Sequence, residues 1–235
     1  MPYVYQTMKQ VAYIVSYMLI VIGCEFKTAQ NLVTEAAKLS ELGKYEDAIE
    51  LLNKAIEKDP RYIGAYINRG ADKSALENYE AAISDYKIVL NFDSSNTLAL
   101  YNIGNNYKRI YKFHTAIEYY NLAFETKGGQ EFYYDINSIN FMNLNTLNEF
   151  DVPGHEIHFE RAIAYYSIDS LHQAFDDFNV AISKNYMTAE SYWWIGYIYA
   201  SSEQEDLACQ SFKIARQLGK ENIDEEIRKY CNEYK

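Results

Sequence analysis

Alanine recurs along this chain at a spacing that fixes its architecture. Ala48, Ala82, Ala116, Ala174 and Ala208 stand 34, 34, 58 and 34 residues apart, and 58 is one period of 34 with 24 residues inserted. Self-similarity at such a period is the mark of an array of small helical units, each unable to bury its apolar face alone. Other columns keep the same step. Ala55, Val89, Ala123, Ala181 and Ala215 form a second small or β-branched column, and between the two lie Leu52, Tyr86, Tyr120, Phe178 and Phe212. Upstream run Ala36, Gly70, Gly104, Ala162 and Gly196, then Leu39, Lys73, Tyr107, Tyr165 and Tyr199. Ala48, Leu52 and Ala55 are four and three residues apart and so share one helix face. Small residues fit where two helix backbones approach closely, and large ones where a neighbour leaves a gap.

Leu39 to Glu50 reads as a helix end, a tight turn at Leu42-Gly43 and a second helix start. These landmarks resemble the tetratricopeptide repeat family, a 34-residue helix–turn–helix with Gly/Ala, aromatic, Ala, aromatic and Ala positions. The resemblance implies an all-α fold, a right-handed superhelix of about five helix-turn-helix repeats with a C-terminal capping helix. It places repeats 1–3 at 29–130 (29–62, 63–96 and 97–130) and repeats 4–5 at 155–222 (155–188 and 189–222). The capping helix falls in 223–235, where Ile223, Ile227 and Tyr230 keep helical spacing behind charged neighbours. The departures from the family pattern are mild. The closing proline survives only at Pro60, Lys73 interrupts an apolar column, and Glu205 stands where Tyr45, Tyr79 and Phe113 place a turn aromatic.

The first 23 residues belong to another physical class. Val11 to Gly23 carries no charge, follows Lys9, and is shorter than the roughly 20 residues a membrane span needs. Its length is that of a secretory h-region. Met8 is a second candidate start, since residues 1–7 add nothing to the signal. The stretch ends Val21-Ile22-Gly23-Cys24, which resembles the lipobox of bacterial lipoproteins. The resemblance implies a signal peptide at 1–23, a lipidated Cys24 as mature N-terminus, a tether at 24–28, and a place in the cell envelope facing outside the cytoplasm. An uncleaved anchor or a buried N-terminal helix is the competing reading.

Charge narrows the partners. The chain carries a net charge of −11, which becomes −12 once residues 1–23 and their single lysine are removed. Such a surface repels nucleic acid and gains nothing from anionic lipid. Residues 131–154 interrupt the repeats between Gly128-Gly129 and Pro153-Gly154. They carry ten large apolar groups, too many for a solvated linker, so the insertion is expected to pack as a cover on the groove near Tyr101, Phe159 and Ile163. Packing on the convex back is the alternative.

No phosphate loop, nucleophile elbow or paired-cysteine metal site appears, so no enzyme, cofactor or metal is expected. His155 and His158 are the only close pair of metal-ligand type; their spacing fits no known zinc helix, and a solvated helix start is the plainer reading. Cys209 and Cys231 fall on the last repeat helix and the cap. They could bond in an oxidising compartment, but with nothing fixing their geometry the expectation is two unpaired cysteines.

In the family, the first helix of each repeat lines a concave groove. The resemblance implies Val33, Ala37, Ile67, Asn68, Ala71, Tyr101, Asn102, Asn105, Arg109, Phe159, Glu160, Ile163, Trp193, Trp194 and Tyr197 as groove-facing. The family's chaperone-binding version grips a C-terminal carboxylate with Lys, Asn and Arg. Here Val33 and Ala37 stand in its Lys and Asn places, which rules that ligand out. The binding set expected is Asn68, Tyr101, Asn102, Asn105, Arg109, Phe159, Trp193, Trp194 and Tyr197, an Asn-rich channel with an aromatic end. The function expected is a lipid-anchored scaffold holding a peptide or protein partner. The alternative is a glycan-capturing envelope lipoprotein whose Trp and Tyr stack on sugar faces.

Overall fold

A computed structural model of the chain describes residues 27–126 and 150–231. Cys24, the lipobox and most of the insertion lie outside the described residues. Those described form eleven helices and no strand: α1 Ala29–Glu41, α2 Tyr45–Lys58, α3 Ile63–Ala75, α4 Tyr79–Phe92, α5 Thr97–Arg109, α6 Phe113–Glu125, α7 Gly154–Ser167, α8 Leu171–Ser183, α9 Thr188–Ser201, α10 Glu205–Gln217 and α11 Asp224–Tyr230. Among them no helix is long and apolar enough to cross a membrane. The chain divides into two compact units, residues 1–65 and 66–235.

In the first unit α1 opens on a capping box. The Thr28 hydroxyl accepts from the Asn31 amide at 3.1 Å, while the Asn31 side chain accepts from the Thr28 amide at 3.1 Å. That satisfies backbone donors a helix start leaves orphaned. Leu32, Val33 and Ala36 of α1 pack on Ala48, Leu52 and Ala55 of α2, with Ala65 completing the cluster.

The second unit holds the remaining repeats. The column rule has a direct cause there: in each repeat a large ring lies against the backbone of the preceding helix. A Cβ placed on Gly104 would stand 2.6 Å from the Tyr120 ring, and one on Gly196 would stand 2.5 Å from the ring of Phe212. Both rings are fully buried, so neither can swing away. Ala162 carries a Cβ at the same column and is buried in one cluster with Phe178.

The turns inside repeats share one geometry. Gly43, Glu77, Tyr111, Asp169 and Glu203 all have φ between 58° and 73°. The next residue donates back to a carbonyl five residues earlier, as from Asn78 to Lys73 at 2.8 Å and from Lys112 to Tyr107 at 2.9 Å. This closure ties off the helix end through a left-handed residue, where glycine is the unstrained choice. Only the first turn uses it. Tyr111 takes the same conformation with an 81 % exposed side chain.

The insertion returns to the repeats at residue 150. The Leu98 amide donates to the Phe150 carbonyl at 2.9 Å, and Val152 is buried in the cluster of Leu100, Ala116, Ile117, Tyr120 and Ile157. The end of the insertion therefore packs into the seam between repeats 3 and 4. The rest of the expected cover lies outside the described residues.

The expectation of unpaired cysteines is corrected. Cys209 and Cys231 form a disulfide, their Cα atoms 4.9 Å apart. The packing of α11 on α10 supplies the geometry that the sequence left unfixed.

Candidate functional site

On the second unit, α3, α5 and α7 bring polar side chains to a recess of about 480 Å³. Its walls are Ala71, Ser74, Ala75, Glu77, Tyr79, Tyr86, Asn102, Asn105, Asn106, Lys108, Arg109 and Glu160. Helical spacing explains the floor. Asn102, Asn105, Asn106 and Arg109 are three, four and seven residues apart on α5, one face of one helix.

The floor is wired internally. Ser74 Oγ donates to Asn106 Oδ1 at 2.7 Å, and Asn106 Nδ2 donates to the Asn102 carbonyl at 2.7 Å. The Tyr120 hydroxyl donates to Asn105 Oδ1 at 2.7 Å. Burial pushes the Tyr86 and Tyr101 hydroxyls well above the ordinary phenol range. The nearby Asp85 and Asp72 add to the effect on Tyr86, and Glu160 and Glu156 to that on Tyr101. These phenols stay protonated and act only through hydrogen bonds. At the rim Lys108 is paired with Glu160 across 52 residues of sequence. Among the described residues the Asn102 amide and the Arg109 guanidinium take no hydrogen bond, and Arg109 is exposed. The recess thus offers amide donors and acceptors, plus the Arg109 cation beside the Lys108–Glu160 pair, on a hydrogen-bonded floor.

Of the residues expected to bind, Asn102, Asn105 and Arg109 meet here, with Ala71 and Glu160 beside them. The others do not. Asn68 is half-buried on α3 outside the lining. Tyr101 packs against the Tyr120 ring, centroids 6.1 Å apart. Phe159 is corrected outright: it is 4 % exposed, edge-on to Phe178 at 5.8 Å and to Tyr186 at 5.9 Å, and belongs to the core. Trp194 stacks on Phe178 at 6.2 Å. Trp193 Nε1 and the Tyr197 hydroxyl both donate to Glu226 of α11, at 3.2 and 2.6 Å, with Lys220 4.8 Å from the Trp193 ring. Burial pushes the Glu226 carboxyl up, but the Tyr197 hydroxyl, the backbone, Trp193 and Lys220 outweigh it and hold the group below the usual carboxylate range. The aromatic end of the expected channel is therefore the seat of the capping helix. The Trp193 indole N–H and the Tyr197 hydroxyl are thereby engaged within the fold.

Sequence reasoning missed Ser74, Asn106 and the tyrosines of the wall. Asn106 was legible, four residues from Asn102 on the same face; Ser74 was not, since its role depends on Asn106 from another repeat. It also missed two charged braces. Asp85, 2 % exposed, accepts from Arg69 Nε at 2.9 Å and Nη2 at 2.6 Å and from Lys73 at 2.7 Å. Asp177 accepts from Arg161 Nε at 2.7 Å and Nη2 at 2.8 Å and meets His158 Nδ1 at 2.6 Å. Burial raises the Asp177 carboxyl, and the Arg161 and His158 bonds more than offset that, leaving it lowered. His158 also lies 4.5 Å from the Phe124 ring, and His155 lies 5.0 Å from Tyr186. Among the described residues no group of three or more His, Cys, Asp or Glu side chains is arranged to hold a metal.

Fold and columns define an all-α array of helix–turn–helix scaffold units. Two stretches match models of the tetratricopeptide repeat, residues 38–71 as "TPR repeat" and residues 189–215 as "Tetratricopeptide repeat". Solved structures share the fold. MamA from Desulfovibrio magneticus RS-1 superposes with a TM-score of 0.65 at 13 % identity, over 81 % of this chain and 94 % of that one. YrrB, described as a TPR protein with an unusual peptide-binding site, gives 0.62 at 18 % identity over 87 % and 93 %. PilF from Pseudomonas aeruginosa gives 0.64 at 15 % over 83 % and 78 %. No curated protein matches the chain.

Proposed function

We propose that this protein is a non-catalytic scaffold that holds an extended segment of a protein partner in the recess between α3, α5 and α7. The observation that carries the reading is the α5 floor. An extended peptide presents one N–H and one C=O per residue, and an asparagine amide answers both, donating and accepting from one group. Asn102 and Asn105 stand one turn apart on that floor, with Arg109 a further turn along to meet an acceptor. The fold shared with YrrB, whose description names a peptide-binding site, supports the same reading. The acidic net charge of −11 argues against nucleic acid as the partner.

The test is photo-crosslinking from position 75, on the recess wall, in intact cells. Replacing Asn102 and Arg109 together by alanine should reduce partner capture at least about tenfold, while stability shifts by no more than about 0.5 kcal/mol, because neither side chain supports the fold. Unchanged capture would overturn the recess as the binding site.

The scaffold is further read as a lipoprotein held outside the cytoplasm. Support comes from the Val21-Ile22-Gly23-Cys24 ending of the uncharged run. The Cys209–Cys231 bond is consistent with it, because such bonds persist in oxidising compartments. Mass spectrometry of membrane-extracted protein should then show residues 1–23 absent and acyl mass on Cys24. A Cys24→Ser protein that stays at full length in the membrane fraction would refute the anchor.

A further inference from the structure

The C-terminal helix α11 is seven residues long, Asp224–Tyr230. Isolated helices shorter than about 12 residues are marginal in water, so α11 exists because it is docked. Its docking is concentrated in few groups. Ile223 and Ile227 are buried against Phe212, Tyr230 stacks on Phe212 at 5.5 Å, and Glu226 accepts from Trp193 and Tyr197 of α9. At its end, Cys231 is bonded to Cys209 of α10. The two cysteines are not equivalent: Cys231 is 9 % exposed, while Cys209 is only half-buried and is the side from which a reductant is taken to approach.

We propose that Cys209–Cys231 is a thiol-sensitive latch on α11, whose reduction uncovers the aromatic edge formed by Trp193 and Tyr197 over Phe212. That edge is where a further repeat would stack on the array, so the latch controls whether the end of the scaffold is closed or open. The reductant is a dithiol. Its thiolate attacks Cys209 Sγ, the sulfur–sulfur bond breaks, and Cys231 leaves as a thiolate that takes up a proton. The second thiol of the reductant then attacks the mixed disulfide at the reductant's own sulfur and releases Cys209, which is also protonated. The protein gains two electrons and two protons, and the reductant departs as its disulfide. The bond closes a span of 22 residues. Loss of that constraint should raise the open population of α11 by roughly a hundredfold, the chain-entropy effect for a loop of this length. The remaining contacts then hold α11 in a reversible equilibrium.

The chain has two tryptophans: Trp193 stands at this edge, and Trp194 touches it but packs on Phe178 and Tyr166, so a change in intrinsic tryptophan fluorescence on reduction is read from Trp193 against a Trp193→Phe control. The experiment compares the full chain, oxidised and treated with dithiothreitol, by hydrogen exchange and by acrylamide quenching of tryptophan. Amides of α11 should exchange about a hundredfold faster after reduction, quenching should rise, and exchange in α5 and α6 should stay as it was. The Cys209→Ser/Cys231→Ser double variant should reproduce the open state without dithiothreitol and show no further response to it. A change below about threefold in α11 exchange would reduce the bond to a passive staple and overturn the proposal. Faster exchange spread equally over all helices would overturn it as well, since the bond would then hold the whole unit. Glu226→Gln with the bond intact separates the two restraints: α11 should stay protected. A hundredfold loss of protection in that variant would assign the latch to the Glu226 hydrogen bonds instead.

Discussion

Repeats 2 and 4 solve the same packing problem as repeats 3 and 5 with opposite chemistry. At one pair of columns, sixteen residues apart, repeats 2 and 4 carry Arg69 with Asp85 and Arg161 with Asp177, forked pairs between the two helices of the unit. Repeats 3 and 5 put Ile103 with Tyr119 and Ile195 with Ser211 at the same places. Ile103 is fully buried, Tyr119 stacks on Tyr107 at 5.5 Å, and Ser211 turns its hydroxyl back to the Leu207 carbonyl at 2.9 Å. A fully buried ring stands at the next column in both kinds of repeat. The ionic version therefore is not what holds a unit together; the fully buried column of Tyr86, Tyr120, Phe178 and Phe212 does that in all four. What the charges add is directionality, because a bidentate guanidinium fork accepts only one register of the facing carboxylate.

Half-removal and full replacement of one brace should separate these two roles. Asp85→Ala should be the larger effect, costing about 3 kcal/mol in chemical denaturation, because it leaves Arg69 and Lys73 desolvated without the carboxylate they share. A cost under about 1 kcal/mol would show that both cations simply turn out to water, and the brace would be a surface pair in all but name. The smaller effect belongs to the double change Arg69→Ile with Asp85→Leu, which borrows the isoleucine of repeats 3 and 5 and the leucine of repeat 1. It should leave stability within about 1 kcal/mol of the parent, since apolar residues of similar volume commonly replace a buried ion pair without loss. If the double variant is as unstable as the single one, the columns are not interchangeable and repeats 2 and 4 depend on their charges.

The braces also show where sequence reading stopped. The 34-residue step located each of the five repeats from the small and aromatic columns alone, because these follow from how close two helices can come and need no knowledge of neighbours. Charged residues in the same columns looked like interruptions; Lys73 was one. A buried charge is explained only by the partner it meets, and the partner is on the next helix, sixteen residues away for Arg69 and Asp85 and twelve for Lys73 and Asp85. The candidate site divides in the same way. The spacing of Asn102, Asn105 and Arg109 on one helix face was written in the sequence, and the structure keeps them together. Phe159, Trp193 and Tyr197 carried an identical helical signal and ended elsewhere. A helix face can be lined up with the groove by periodicity, yet whether another element covers it is a fact about that other element.

What the sequence determined by itself is the repeat: its period, its helix pairs, the small residues under the rings and the polar cap at the end. Each depends on contacts within about 34 residues, where periodicity and side-chain size suffice. The tertiary structure decided the rest. It brought Ser74 under Asn106, joined Lys108 to Glu160 across the insertion, laid Glu226 on Trp193 and Tyr197, and set Cys209 within bonding distance of Cys231. These pairings hinge on how one repeat or cap is placed on another. That placement is fixed by the sum of many buried contacts and by no single residue pattern.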